Sequence, residues 1–413
     1  IEVKIFSVCI SSAGKSLPDK PKFEVRLCII IYKFIINGNN KDIFFINNRL
    51  DMGERIMKIG ILTSGGDCQA LNAAMYGVVT GLYERYGKKA EIYGIKDGYT
   101  GLIDGKYEKM KYSDFENILK LGGTILGSSR QPFKKINEEY KDGKTKVQCM
   151  MENYENMGLE CLVILGGNGS HKTANLLSEN GLNIITLPKT IDNDIYGTDM
   201  TFGFASAIDR ATEYMDNLKS TAVSHNRVFI VEVMGNKAGW LTINAGIATG
   251  ADVILIPEIP YDIKVVKEHI HKKISQGKRG IIVAVAEGIL TLEESKLSKK
   301  QFKEKRAKEE ISDSAQNLEK QLQNEIDAEV RRSVIGHIQR GGQPSAYDRV
   351  LASRLGAEAA QLIAKKQFGY MVAIKNGVIE KCLLKEIAGK KKTISVDEEI
   401  LVQAEMLDIC LGR

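Results

Sequence analysis

The sequence predicts an α/β protein with mostly parallel sheets, and three observations carry that reading. Short apolar, β-branched runs recur at 57–62, 161–165, 183–187, 227–234, 251–257 and 280–286, the form of strands buried on both faces. Several of these runs empty into glycine-rich turns that open helices of 3.6-residue period. Strand and helix then alternate through 201–286, which implies right-handed crossovers between parallel strands.

Composition sets the frame for these elements. At 413 residues the chain has room for two domains and a large core. Charged residues at 27% and hydrophobic ones at 43% are ordinary for a globular protein. The net charge of +6 suits an enzyme of anionic substrates as well as a weak nucleic-acid binder and decides little between them; no nucleic-acid partner is expected. Seven cysteines, odd in number and without a Cys-x-x-Cys pair, suit reduced thiols in a cytoplasmic protein. Residues 1–56 differ in character from the rest of the chain: Ile, Phe, Asn and Lys crowd there without a period. Their most apolar piece, 28–36, is too short to span a bilayer and contains Lys33, and no signal-peptide order is present. The segment is expected to be a non-native or disordered extension, upstream sequence translated in frame, with initiation at Met57 or Met52. No membrane association is expected.

From Met57 the elements run in order. A strand at 57–62 leads through Thr63-Ser-Gly-Gly-Asp67 into a helix from Leu71 to about Tyr86, which makes an anion site of unpaired backbone N–H groups. A strand at 90–95, a turn at 97–101 and a helix at 112–120 precede Gly122-Gly-Thr-Ile-Leu-Gly-Ser-Ser-Arg130, where Arg130 offers a forked cation for phosphate oxygens. A helix closes at 154–158. The strand 161–165 then runs into Gly166-Gly-Asn-Gly-Ser-His-Lys-Thr173 and a helix through Leu177. That loop is neither a Walker A sequence, since His171 precedes Lys172, nor a dinucleotide fingerprint, since the third glycine is missing.

The third strand-to-loop unit carries the chemistry. The strand 183–187 delivers Leu187-Pro-Lys-Thr-Ile-Asp-Asn-Asp194 to the sheet edge where open α/β folds bind ligands. Two carboxylates two residues apart, Asp192 and Asp194, with Lys189 beside them, suit proton abstraction from a hydroxyl next to a metal-bound phosphate. An acidic surface turn is the plain alternative for Asp-x-Asp alone. Two further glycine loops after parallel-type strands point instead to a phosphate-handling site. Beyond it lie a helix at about 205–218, the strands 227–234, 251–257 and 280–286, and a helix carrying His269 and His271 as surface residues. A Lys/Glu-rich stretch at 291–329 reads as one or two solvated helices covering the body, because its charges are mixed. His337 and Arg340 stand on a strand or loop ending in paired glycines. A helix at 347–365 and a hairpin at 371–380 turning on Asn376-Gly377 come last.

Five of these strings in this order, Ile-Leu-Thr-Ser-Gly-Gly-Asp, Gly-Gly-Thr-Ile-Leu-Gly-Ser-Ser-Arg, Pro-Lys-Thr-Ile-Asp-Asn-Asp, Val-Glu-Val-Met-Gly and Gly-His-Ile-Gln-Arg-Gly-Gly, resemble the bacterial-type 6-phosphofructokinases over 57–413. The resemblance implies two Rossmann-like lobes with the active site in the cleft between them. It implies transfer of the γ-phosphoryl group of MgATP to the 1-hydroxyl of fructose 6-phosphate, in glycolysis, by a cytoplasmic homo-oligomer. Asp192 then matches the general base, with Thr190 and Asp194 beside it on the sugar and metal sides, and Arg130 at the transfer site. Gly66, Arg130 and Gln131, and Gly167, Asn168, Gly169 and Ser170, match nucleotide contacts; Asn168 and Asp194 match the Mg2+ side. Thr190, Ile191, Asp192, Met234, Gly235, Asn236, Glu287, His337 and Arg340 match the sugar pocket. Arg227 and Arg331 match arginines that reach the 6-phosphate across a subunit boundary. The nucleotide lobe is expected at 57–198 plus 341–384, and the sugar-phosphate lobe at 199–340 plus 385–413 with the charged insertion at 291–329.

The chain also departs from the pattern. Asn168 stands where most members carry a metal-associated aspartate, which removes a charge. Gly169 is the ATP-type residue, whereas Lys189 is shared by pyrophosphate users and a subset of ATP users. ATP is therefore the expected donor and pyrophosphate the alternative. Asn236 replaces a frequent arginine. Tyr76 and Thr80 stand where effector-regulated members carry arginines, which puts the usual ADP and phosphoenolpyruvate control in doubt. A catalytically weak regulatory homologue is the alternative of another class, motivated by Asn168 and Asn236.

Overall fold

The computed structural model describes residues 56–413, and Met57–Arg413 form a single compact unit. The expected foreign extension lies, but for Ile56, outside the described residues. Strands β1 (Met57–Thr63), β2 (Ala90–Ile95), β3 (Tyr107–Met110), the small pair β4 (Glu139–Lys141) and β5 (Lys144–Thr145), β6 (Cys161–Gly166) and β7 (Ile184–Pro188) come first. Then come β8 (Arg227–Val233), β9 (Val253–Leu255), β10 (Ile281–Ala286), β11 (Glu329–Val334), β12 (Tyr370–Lys375) and β13 (Val378–Leu383). One sheet has the order β13-β12-β7-β6-β1-β2-β3, and a second has β11-β8-β10-β9. The second is wholly parallel; the first is parallel at its centre and antiparallel where β3 and β13 close its edges.

β6, β7 and β10 are buried throughout, as their unbroken apolar runs require once helices cover both faces. The helices are α1 (Leu71–Tyr86), α2 (Tyr99–Asp104), α3 (Lys146–Met157), α4 (Asn168–Glu179), α5 (Phe204–His225) and α6 (Trp240–Thr249). After them come α7 (Ile263–Ser275), α8 (Lys299–Lys308), α9 (Ser314–Leu322), α10 (Ala346–Ala364), α11 (Leu384–Ile387) and α12 (Glu399–Met406). α1 and α10 pack backbone to backbone: a Cβ at Gly77 would lie 2.3 Å from the Ser353 carbonyl, and one at Gly356 2.3 Å from that of Ala74. The C-terminal residues return to the second sheet, where Cys410 bridges Val253 of β9.

Register positions the site. Thr63 pairs with Leu165, Leu165 with Leu187 and Gly166 with Pro188, so β1, β6 and β7 end at one edge and release their loops side by side.

Several elements differ from expectation. The helix expected at 112–120 is only a 3-10 turn, Tyr112–Phe115. Asp114 turns its carboxylate back onto the Lys111 N–H at 2.8 Å, a local bond that competes with helix extension. The turn expected at 97–101 is in part α2, since Tyr99, Leu102 and Ile103 share a buried face. β9 is shorter than the run 251–257: Asp252 spends its carboxylate on the Ile282 N–H and on Lys278, and Ile259 N–H turns back to Ile256. His337 and Arg340 sit on a 3-10 helix, Gly336–Arg340, rather than on a strand or open loop. The charged stretch 291–329 does hold two helices, but α9 is not simply solvated. Its Ala315, Leu318 and Leu322 are buried, and its first N–H groups include one bonded to Glu232 at 2.9 Å. His271 is exposed as expected, whereas His269 is half-buried.

Candidate active site

Four loops converge at the shared edge of the first sheet. Ser64 and Gly65 come directly after β1. The Ser64 N–H donates to the Leu165 carbonyl at 2.9 Å, and the Gly65 N–H to Ser129 at 3.0 Å. Ser128 closes the circuit on the Gly65 carbonyl at 2.7 Å. Ser170, in the first turn of α4, reaches the Ser64 hydroxyl at 3.0 Å, and buried Tyr99 donates to the Ser170 carbonyl at 2.8 Å. Gln131 is braced on Thr100 at 2.9 Å, while the neighbouring Arg130 is exposed to solvent. Gly66, Arg130, Gln131 and 167–170 thus stand on the loops of this edge, and the N-terminus of α4 has no side-chain cap, as a helix end open to an anion requires.

At Gly169 a Cβ would meet no atom within 4 Å, so the absence of a side chain leaves open space that the fold itself does not need. Gly66 is different: a Cβ there would lie 3.0 Å from the Arg340 guanidinium. Arg340 donates to the Asp67 carbonyl at 2.8 Å, so the 3-10 helix after β11 is laid directly on the first glycine turn.

Lys189 is only 3% exposed, and its ammonium donates to the Gly66 carbonyl. Burial is the main cause that lowers its pKa to about 8. Asp192 is pushed up to about 6, first by burial and next by the adjacent Asp194 charge; Arg340 and Lys189 oppose the rise. Its Oδ1 is buried without a hydrogen-bond partner, an acceptor available to an incoming hydroxyl. Thr190 caps the turn, accepting the Asp192 N–H at 3.1 Å. Asn193 takes a left-handed conformation (φ 50°) between the carboxylates, and its own carboxamide accepts the Thr201 N–H at 3.0 Å. Asn168 donates through Nδ2 to the Asp194 carboxylate at 2.8 Å and to its carbonyl at 3.0 Å. Burial lowers the His171 pKa to about 4, so that ring is neutral at pH 7 and contributes no charge.

Residues of the second sheet join from the ends of β8, β10 and β11. Met234 and Gly235 come after β8, and Glu287 after β10 with its N–H on the Val233 carbonyl at 2.9 Å. Glu287, Asn236 and His337 are exposed. Ile191 is fully buried and packs in the main core, so it contributes shape rather than a polar contact. Arg227 and Arg331 do not join this group within one chain. Both pair with Glu329, and Arg227 begins the strand β8, which ends one residue before Met234, about 23 Å away at 3.3 Å per residue.

Sequence reasoning missed two glutamines. Gln69 donates to the Gln339 and Gly341 carbonyls at 2.9 and 3.1 Å, and fully buried Gln339 accepts the Met234 N–H at 3.2 Å. They lock the first glycine turn to the loops of the second sheet. Gln339 lay in view inside Gly-His-Ile-Gln-Arg-Gly-Gly, but only burial distinguishes it from a surface residue.

Residues 58–363 match the phosphofructokinase family. The chain belongs to that family. A relative from Spirochaeta thermophila, named ATP-dependent 6-phosphofructokinase, is 50% identical over 356 residues, 86% of this chain and 97% of the relative. The crystal structure of Pichia pastoris phosphofructokinase in the T-state superposes with a TM-score of 0.69 at 29% identity, over 86% of this chain. The match spans only 37% of that longer yeast chain. Pyrophosphate-dependent phosphofructokinase from Nitrosospira multiformis, at 19% identity, shares the fold with a TM-score of 0.71 over 85% of this chain and 91% of its own.

Proposed function

We propose that this chain is an ATP-dependent 6-phosphofructokinase that transfers the γ-phosphoryl group of ATP to the 1-hydroxyl of fructose 6-phosphate. The observation that carries the reading is the partnerless, buried Asp192 Oδ1 set beside two glycine loops that end at the same sheet edge. In this reading Asp192 takes the hydroxyl proton as the oxygen bonds to phosphorus and the bond to ADP breaks. Thr190 holds the turn, and Arg130 neutralises charge on the transferring group. Phosphoryl transfer asks for positioning and charge neutralisation more than for covalent help. Gly66, Gln131 and 167–170 hold the nucleotide. Met234, Gly235, Asn236, Glu287, His337 and Arg340 surround the sugar, with Ile191 beneath it.

Among the described residues no group of three or more His, Cys, Asp and Glu side chains forms a metal cage. That suits Mg2+, which takes one or two carboxylates and completes its shell with water and phosphate oxygens. Asp194 would hold it, and the ion would supply charge neutralisation on the phosphates. Asn168, whose amide nitrogen faces Asp194, acts as the group that orients that carboxylate.

Arg227 and Arg331 serve the 6-phosphate of a partner subunit's sugar, because Arg227 stands at the far end of β8 from its own chain's Met234 and Arg331 beside Phe229 in mid-strand, both paired with Glu329; the enzyme is then a homo-oligomer with shared sites. The nucleotide lobe is built on the first sheet (57–198 plus 341–384) and the sugar lobe on the second (199–340 plus 385–413). Among the described residues no helix is long and apolar enough to cross a membrane. The described cysteines are unpaired and buried. Both suit a cytoplasmic enzyme.

Pyrophosphate is the second reading, motivated by the identity of Lys189, which the resemblance shares with pyrophosphate users. Turnover of fructose 6-phosphate with ATP and with pyrophosphate, measured side by side, separates the two. Faster turnover with ATP is expected, and faster turnover with pyrophosphate overturns the donor.

A further inference from the structure

The run Lys390-Lys391-Lys392, far from any glycine loop in sequence, grips the segment just after Asp192. The Lys390 ammonium stands 5.1 Å from the centre of the Tyr196 ring. Lys391 makes an antiparallel bridge with Ile195, and the Lys392 N–H donates to the Asp194 carbonyl at 3.0 Å. The Lys392 ammonium donates to the Thr198 and Asp199 carbonyls at 3.0 and 2.7 Å. Beyond it the strap is tied to the second-sheet side: Trp240 donates to the Lys392 carbonyl at 3.3 Å, and the Ile394 N–H to Glu258 at 3.0 Å.

Two of these lysines spend their charge on the strap's own anchorage, and one does not. The Lys391 ammonium lies 3.5 Å from Asp194 Oδ2, with its side chain 37% exposed against 13% for Asp194. Among the described residues this is the ion pair that Asp194 makes. The same carboxylate oxygen accepts Asn168 Nδ2 at 2.8 Å, which places the ammonium one carboxylate away from the first residue of α4. Asn168 is neutral, so the cation at this point comes from the C-terminal strap.

We propose that Lys391 is a further positioning residue of the transfer site: its ammonium fixes Asp194 in the free protein and faces the terminal phosphates of the donor when these arrive at the α4 N-terminus. The inference rests on the reading of that loop as the donor site. It supplies, from the C-terminal strap, positive charge beside the neutral Asn168.

The test compares Lys391→Met and Lys391→Arg in the full chain. Binding of MgADP is read by calorimetry, KM and kcat for both substrates by a coupled assay, and the melting temperature by scanning. Losing one charge-assisted contact should weaken MgADP binding and raise KM for ATP by about tenfold. KM for fructose 6-phosphate should move less than about twofold, and arginine should restore most of the loss. Unchanged MgADP affinity in Lys391→Met overturns the proposal. So does a joint change of both KM values with the melting temperature that arginine does not rescue, since that is the signature of a strap holding structure alone. If the unmutated protein phosphorylates no fructose 6-phosphate with either donor, the functional reading fails, while the MgADP measurement still decides the role of Lys391.

Discussion

Replacing Asp192 by Asn should abolish most activity and at the same time stabilise the protein, in a pH-dependent way. The folded protein holds this carboxyl at about 6 against an ordinary 3.8, mainly by burial and then by Asp194. A shift of roughly two units corresponds to about 3 kcal/mol, at 1.36 kcal/mol per unit. The folded-state value is raised, so the cost is absent below pH 3.8, grows as the unfolded chain ionises, and is complete once pH exceeds about 6. Asp192→Asn keeps the size and removes the charge. It should therefore match the unmutated protein in unfolding free energy near pH 3.5 and exceed it by up to about 3 kcal/mol at pH 8, with about half of the gain present at pH 5. Denaturant titrations without nucleotide at these pH values read the difference. In the coupled assay kcat should fall by about 10²–10⁴, the range for a lost general base. Equal stability at pH 8 would show that the site does not strain this carboxylate, and retention of more than about a tenth of kcat would remove it as the base.

The geometry sets three other outcomes. Gly169→Asp meets no protein atom within 4 Å of its Cβ, so its melting temperature should hold while KM for ATP rises at least about tenfold; an unchanged KM for ATP would show that the open space is not the nucleotide's. Arg331→Ala should raise KM for fructose 6-phosphate by about tenfold or more, and mixing its dissociated subunits with those of Asp192→Asn should regain activity. No regain on mixing means that each site is complete within one chain. Gly356→Ala forces a methyl to 2.3 Å from the Ala74 carbonyl and should cost about 1–3 kcal/mol in unfolding free energy as α1 and α10 are pried apart. Unaltered stability there would mean that the helix pair adjusts freely.

The sequence by itself determined the parallel α/β architecture and the three loops after β1, β6 and β7, and it put Asp192 on the third of them. These are local signals: β-branched runs buried on both faces, glycine turns that expose backbone N–H groups, and Asp192 on a loop directly after a strand. Local signals also misled where a few residues decide. The stretch 97–101 read as a turn throughout although only Asp97-Gly98 turns and Tyr99, Leu102 and Ile103 give α2 its buried face, and 112–120 read as a helix although Asp114 closes a tighter turn on Lys111.

Only the tertiary structure decided what these residues meet. Whether Lys189 was a free cation or a buried one depended on the Gly66 carbonyl 123 positions away in the chain. Arg340 reaches across 273 positions to Asp67, and Lys391 across 197 to Asp194. No periodicity or spacing encodes such pairings, because they arise from how the sheets and the C-terminal strap close on one another. The rise of the Asp192 pKa belongs to the same class: the carboxyl is written in the sequence, but burial and the neighbouring charge that set its proton affinity exist only after folding.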